Sequence, residues 1–378
     1  MEDFKICTTA KRIVVKVGTS TLTHANGRLH LQRMESLARQ LTDLRNGGRE
    51  VVLVSSGAVG AGLGRLGLEE RPKTMPERQA AAAVGQGLLM QVYSKLFSEY
   101  GQIVAQVLLT REDLDHRLRY LNARNTILTL LGYGVIPIIN ENDTVATDEL
   151  KNLHFGDNDQ LSALVACTVG ADLLVLLSDI DGLYNRDPRQ HTDAEKITVV
   201  KELTPELFAG AGGAGSRRGT GGMATKLEAA RIATRSGIAM LLADGSVPGV
   251  LHRILDGGEA EGTLFLPQKD ALLQRERWMA FAGCPVGTLQ IDAGAVNALV
   301  KQGKSLLPSG IVAVEGHFGA GDLIRITDSE GREIARGLTH YGDEELRKIM
   351  GRKCSEIQGL LGYKHYDEVV HRNNMVCL

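Results

Sequence analysis

Between residues 13 and 242, short, mainly apolar runs alternate with helix-patterned stretches of about ten or more residues, and this alternation restricts the fold more than any other feature. The runs are Ile13–Val17, Val51–Val54, Ile103–Leu109, Val135–Ile139, Leu173–Leu177 and Ile238–Leu242. Leu31–Asn46 carries Leu31, Met34, Leu37, Ala38, Leu41 and Leu44 at helical spacing and stops at Gly47-Gly48. Arg78–Tyr100, Arg117–Leu131, Leu161–Val169 and Met223–Ser236 read as further helices. A strand that is apolar at every position is buried on both faces, so the pattern predicts an α/β fold: a mainly parallel sheet sandwiched between helix layers. Beyond Gln268 the texture changes to short Gly-punctuated strands (Thr288–Ile291, Ile311–Val314, Leu323–Thr327) with one helical stretch near Ala295–Lys301. That predicts a first domain over 1–268 and a small β-rich region over 269–378.

Charge excludes some functions. The chain of 378 residues carries 43 Lys/Arg against 45 Asp/Glu, a net charge of −2. Such a balance gives no electrostatic ground for bulk nucleic-acid or membrane-surface binding. Five scattered cysteines without a CxxC pair point to free thiols in a reducing compartment. The first residues lack an apolar signal core, and the most apolar stretch, Ala163–Leu177, is short and contains Asp172. A cytoplasmic protein without a membrane span is expected.

In open parallel sheets ligands bind beyond the carboxyl ends of the strands, so the residues that follow each run matter most. The first run exits through Lys16-Val17-Gly18-Thr19-Ser20, where a cation and a close backbone approach could serve a phosphate, or where Lys16 is simply solvated. The second exits through Ser55-Ser56-Gly57 and on to Gly60, Gly62 and Gly64. These glycines fit an anion cradle and fit close helix packing equally well. Asn140-Glu141-Asn142-Asp143 follows the fourth run, and Gly156-Asp157-Asn158-Asp159 opens a helix soon after. Capping a helix needs one such residue, so two consecutive polar clusters exceed the structural requirement. Ser178-Asp179-Ile180-Asp181-Gly182 follows the fifth run. Seven of the 14 residues Ala209–Gly222 are Gly, leading into Thr220-Gly221-Gly222-Met223-Ala224-Thr225-Lys226 at the head of a helix. The GK[ST] ending of a P-loop is missing. Two lysines, two Gly-rich segments and carboxylates at strand exits fit phosphoryl transfer, which needs positioning and charge neutralisation more than covalent help. Two cations flanking the moving group, held apart by a carboxylate, would supply both.

Taken in order, KVGTS, SSGAVGAG, INEND, GDND, LLSDIDGLY and GTGGMATK resemble the amino acid kinase family along essentially the whole first domain. Gly316-His317-Phe318, Gly321-Asp322, Ile334–Leu338 and Tyr341 resemble a PUA domain over about 284–362. The combination is similar to the family's bacterial members that act on free glutamate. The resemblance implies ATP- and Mg2+-dependent phosphorylation of the γ-carboxylate of L-glutamate, giving the acyl phosphate that begins proline synthesis.

By position in those motifs, the resemblance makes Lys16 and Lys226 the groups that stabilise the transferring phosphoryl, with Asp159 between them as organiser. Ser56, Asp143 and Asn158 match glutamate-binding positions. Lys16, Gly18, Gly57, Ser178, Asp179 and the run Thr220, Gly221, Gly222, Met223, Ala224, Thr225 and Lys226 match ATP-binding ones. No metal ligand is assigned. The resemblance also implies inhibition by proline and a homo-oligomer, tetramer or dimer. Two departures stand out: the stretch 150–155 is longer than the family norm, and Ser178 replaces a frequent Thr while keeping the hydroxyl. PUA domains commonly bind RNA, but residues 270–378 hold 13 Lys/Arg against 14 Asp/Glu, so backbone binding by this tail is not expected.

Overall fold

A computed structural model describes residues 2–378 apart from 25, 69–71, 147–157, 187, 189–190, 192, 211–221, 258–259 and 269–277. The chain divides into two compact units, Met1–Leu272 and Leu273–Leu378. The expected boundary after residue 268 abuts 269–277, which lie outside the described residues.

In the first unit the apolar runs become β1 (Arg12–Val17), β2 (Glu50–Ser55), β3 (Val104–Leu109), β4 (Ile136–Glu141), β5 (Leu173–Ser178) and β9 (Ala239–Asp244). Four shorter strands had no clear signal in the sequence: β6 (Leu183–Tyr184), β7 (Lys196–Ile197), β8 (Val199–Val200) and β10 (Thr263–Phe265). Eight strands form one sheet in the order β3-β4-β2-β1-β5-β9-β10-β8, and β6 pairs with β7 in a separate ribbon. Every pairing in the large sheet is parallel except β9 with β10. β2 lies on one side of β1 and β5 on the other, so the strand order reverses at β1. A crevice opens beyond the carboxyl ends of a parallel sheet at such a switch point.

The helices are α1 (Leu31–Asn46), α2 (Ala58–Leu66), α3 (Met75–Ser98), α4 (Arg117–Gly132), α5 (Asn158–Val169), α6 (Met223–Arg235) and α7 (Val250–Leu255), besides shorter turns. α3 starts at a capping box in which Glu77 accepts from the Thr74 backbone N–H at 3.2 Å. Side chains alternate along a strand, and β1 sorts accordingly. Ile13, Val15 and Val17 join Met34 and Leu37 of α1, Tyr93 and Phe97 of α3, and Leu251 and Ile254 of α7 in one core. The intervening Lys16 therefore projects to the opposite face of the sheet, where it meets α5. Among the described residues no helix is long and apolar enough to cross a membrane.

The Gly-rich exit of β2 serves a turn and close helix packing. Gly57 sits at φ +98°, a left-handed backbone that favours glycine, and turns the chain directly into α2. The expected loop is thus a helix from Ala58 onward. Gly62 and Gly85 serve packing: a Cβ on Gly62 would overlap Ala81 O of α3, and one on Gly85 would overlap Ala58 O of α2. The two helix backbones meet at these small residues.

The second unit holds β11 (Gly287–Ile291), β12 (Ile311–Gly316), β13 (Leu323–Thr327), β14 (Glu333–Leu338) and β15 (Met375–Cys377), in the order β12-β11-β13-β14-β15. α8 (Ala293–Val300) begins where Asp292 Oδ1 accepts from Ala295 N at 2.7 Å. Leu289, Ile291, Leu299, Ile324 and Ile326 form its core.

Packing at the α2–α3 contact gives a stability prediction. Gly85→Ala drives a methyl into backbone that cannot rotate away, so unfolding free energy should fall by about 3 kcal/mol. Chemical denaturation showing no loss would mean that the two helices separate freely.

Candidate functional site

At the carboxyl rim the central strands end side by side. Val17 is in register with Ser55 of β2 and with Leu177 of β5, and Gly18 N donates to Leu177 O at 3.4 Å. α5 begins above this point and its first turn carries Asn158 and Asp159. α6 begins at Gly222, and its first turn carries Thr225 and Lys226.

Three charged side chains meet there. Lys16 Nζ lies 2.6 Å from Asp159 Oδ1, and Lys226 Nζ lies 3.2 Å from Asp159 Oδ2. Thr225 Oγ1 also donates to Oδ2, at 3.1 Å. The carboxylate is fully buried, while Lys16 and Lys226 are 4 % and 6 % exposed. Two ammonium groups distant in sequence thus hold the two oxygens of one carboxylate. Burial works to raise the Asp159 pKa, but the attraction of Lys16 and Lys226 outweighs it and holds the group below its ordinary value. Among the described residues, two ammonium groups face one carboxylate with little water around them. Such a place attracts an anion.

A second group lies next to it. Asn158 Nδ2 donates to Ser56 Oγ at 2.9 Å, to Asn140 Oδ1 at 2.9 Å and to Ser55 O at 3.3 Å. Ser55 Oγ lies 3.2 Å from Ser56 O and 2.9 Å from Tyr93 Oη, a contact in which either hydroxyl can donate. Burial raises the pKa of this fully enclosed phenol, which keeps it a donor.

Other expected positions are placed less tightly. Ser178 closes β5 and its hydroxyl donates to Asp179 Oδ1 at 3.2 Å. A Cβ at Gly18 would sit 3.7 Å from Lys16 Nζ, in ordinary contact, so glycine there keeps the space over the ammonium open rather than relieving a clash. Gly57 forms the left-handed turn described above. Asp143 lies half-buried in the turn after β4. Met223 and Ala224 form the first residues of α6 after Gly222. Thr220, Gly221 and the long stretch 150–155 lie outside the described residues. Sequence reasoning did not single out Tyr93 or Gln86 of α3.

Among the described residues no three His, Cys, Asp or Glu side chains gather to hold a metal. Both oxygens of Asp159 already face cations.

The chain matches the amino acid kinase family over residues 11–244 and the PUA domain over residues 287–361. It is 57 % identical to the glutamate 5-kinase of Caldanaerobacter subterraneus subsp. tengcongensis over 367 residues, 97 % of this chain and 98 % of that one. The glutamate 5-kinase of Moorella thermoacetica is 56 % identical over 369 residues, 98 % and 97 % of the two chains. That of Geobacter sulfurreducens is 50 % identical over 373 residues, 99 % of each.

The buried triad predicts a pH signature. Asp159→Asn removes the carboxylate that both buried ammonium groups face, which should cost about 3–5 kcal/mol near neutral pH. A depressed carboxylate contributes above its unfolded pKa of ~4 and loses that contribution as pH falls through the folded value. The stability gap between wild type and Asp159→Asn should therefore hold from neutral pH to ~4 and narrow below it. Denaturant titrations showing a gap that widens on acidification would contradict this electrostatic picture.

Proposed function

Because the chain belongs to the amino acid kinase family, we propose that it transfers the γ-phosphoryl group of ATP to the γ-carboxylate of L-glutamate, giving L-glutamyl 5-phosphate and ADP at the start of proline synthesis. The observation that carries this reading is the convergence of Lys16 and Lys226 on Asp159 at the switch point of the sheet.

The chemistry needs little from the protein beyond charge and placement. A glutamate γ-carboxylate has a pKa of ~4.3, so it is ionised and nucleophilic at neutral pH without a general base. One of its oxygens attacks the γ-phosphorus in line with the bridging oxygen, whose bond breaks, and ADP leaves with that electron pair. Negative charge spreads over the oxygens of the moving group, where Lys16 donates to it from β1 and Lys226 from α6. Asp159 spaces the two ammonium groups and tempers their mutual repulsion before the nucleotide arrives.

Gly18, Gly57, Ser178 and Asp179, with the run Thr220 to Lys226, would receive the nucleotide. Ser56, Asp143 and Asn158 would hold glutamate. Magnesium enters with ATP as part of the substrate and supplies neutralisation of its phosphate oxygens. Closeness to relatives named glutamate 5-kinase along nearly the full chain supports glutamate as the acceptor.

Removing one donor to transition-state charge commonly costs ~10²–10³-fold in rate. Lys16→Ala and Lys226→Ala should each lower kcat by about that factor in an ATP-dependent assay that traps the acyl phosphate with hydroxylamine. A variant with near-normal turnover would remove its lysine from the mechanism. Among glutamate, acetylglutamate and aspartate, only glutamate should yield hydroxamate efficiently; preference for another acceptor would overturn the substrate assignment.

A further inference from the structure

The orientation of Asn158 is set by a chain of side-chain amides that reaches back to α3. Asn140 Oδ1 accepts from Asn158 Nδ2 at 2.9 Å and from the backbone N–H of Glu141, also at 2.9 Å. The nitrogen end of Asn140 must then donate, and it does so to Gln86 Oε1 at 2.9 Å. A side-chain amide presents one accepting and one donating end, so each link fixes the polarity of the next. Asn140 is only 3 % exposed, so turning its amide over would bury a donor against donors and an acceptor against an acceptor. With the two N–H groups of Asn158 Nδ2 taken up by Ser56 Oγ and Asn140 Oδ1, and Ser55 O at a longer 3.3 Å, Oδ1 is the end left to face a ligand, with no donor to it among the described residues. A fixed acceptor beside the reacting centre suits a cationic donor on the substrate.

We propose that Gln86 is a positioning residue for the amino-acid substrate. By accepting from Asn140 it fixes the amide chain so that Asn158 presents its carbonyl oxygen, not its nitrogen, to the α-ammonium group. This rests on the glutamate-kinase reading above. Tyr93, two turns further along α3, steadies the same residue from the other side: its bond to Ser55 Oγ holds the strand end whose carbonyl receives Asn158 Nδ2. One helix thus supports the substrate amide at two points.

The test compares Gln86→Leu, which keeps volume and loses the acceptor, with Gln86→Glu, which keeps an acceptor and has no donor. Steady-state kinetics with the full chain would be run on glutamate and ATP separately, with thermal unfolding of each variant. Gln86→Leu should raise the glutamate KM about tenfold, the cost of one disordered buried amide, while the ATP KM and kcat stay within about twofold. Gln86→Glu should restore the glutamate KM to within about threefold of wild type. An unchanged KM in Gln86→Leu, an equal rise in both KM values, or Gln86→Glu as impaired as Gln86→Leu would overturn the proposal. A wild-type protein inactive on glutamate while active on another acceptor would refute the reading beneath it, and with it the α-ammonium as partner.

Discussion

A carboxylate buried between two ammonium groups is the interaction on which the first unit is organised. Lys16 comes from the central strand, Lys226 from the first turn of α6 and Asp159 from the first turn of α5, so the triad ties three elements together at one end of the sheet. Desolvating three charges is costly, and apolar residues of similar volume would often stabilise such a place as well or better. Stability alone gives no reason to keep it. On the proposed reaction, its value is to hold cations in a dry place where phosphoryl charge develops, with no reorganisation needed when that charge appears.

The rest of the unit delivers these groups. The two-residue period of β1 sends Ile13, Val15 and Val17 into one core and Val14 and Lys16 to the other face, with Lys16 near the strand's end. Reversal of strand order at β1 places it at a switch point of the sheet, where ligands of such folds bind. Close contact between α2 and α3 through Gly62 and Gly85 sets α3 near the sheet, so that Gln86 and Tyr93 reach the strand ends. Packing and polar placement are coupled here: the small residues matter because of what the larger ones on the same helix can then touch.

Much of this was legible in the sequence because unbroken apolar strands and long helices have strong periods. β1, β2, β3, β4, β5 and β9 lie within two residues of their expected limits. The antiparallel β10 and the two-residue strands β6, β7 and β8 are too short to carry a period, and α2 was hidden by glycines that read equally as loop. At the site, the motif order singled out Lys16, Asp159 and Lys226, whose mutual contact the fold then supplies. Gln86 and Tyr93 escaped notice because nothing local distinguishes a polar residue on a helix that will face a strand end from one that will face water.

The central claim is that Lys16 and Lys226 act on one and the same phosphoryl group. A double-mutant cycle on kcat, using Lys16→Ala, Lys226→Ala and the combined variant, tests it most directly. Groups that serve as one unit lose most of their effect together, so the double variant should be little slower than the slower single one. Rate losses that simply multiply would show two independent contributions and contradict the account.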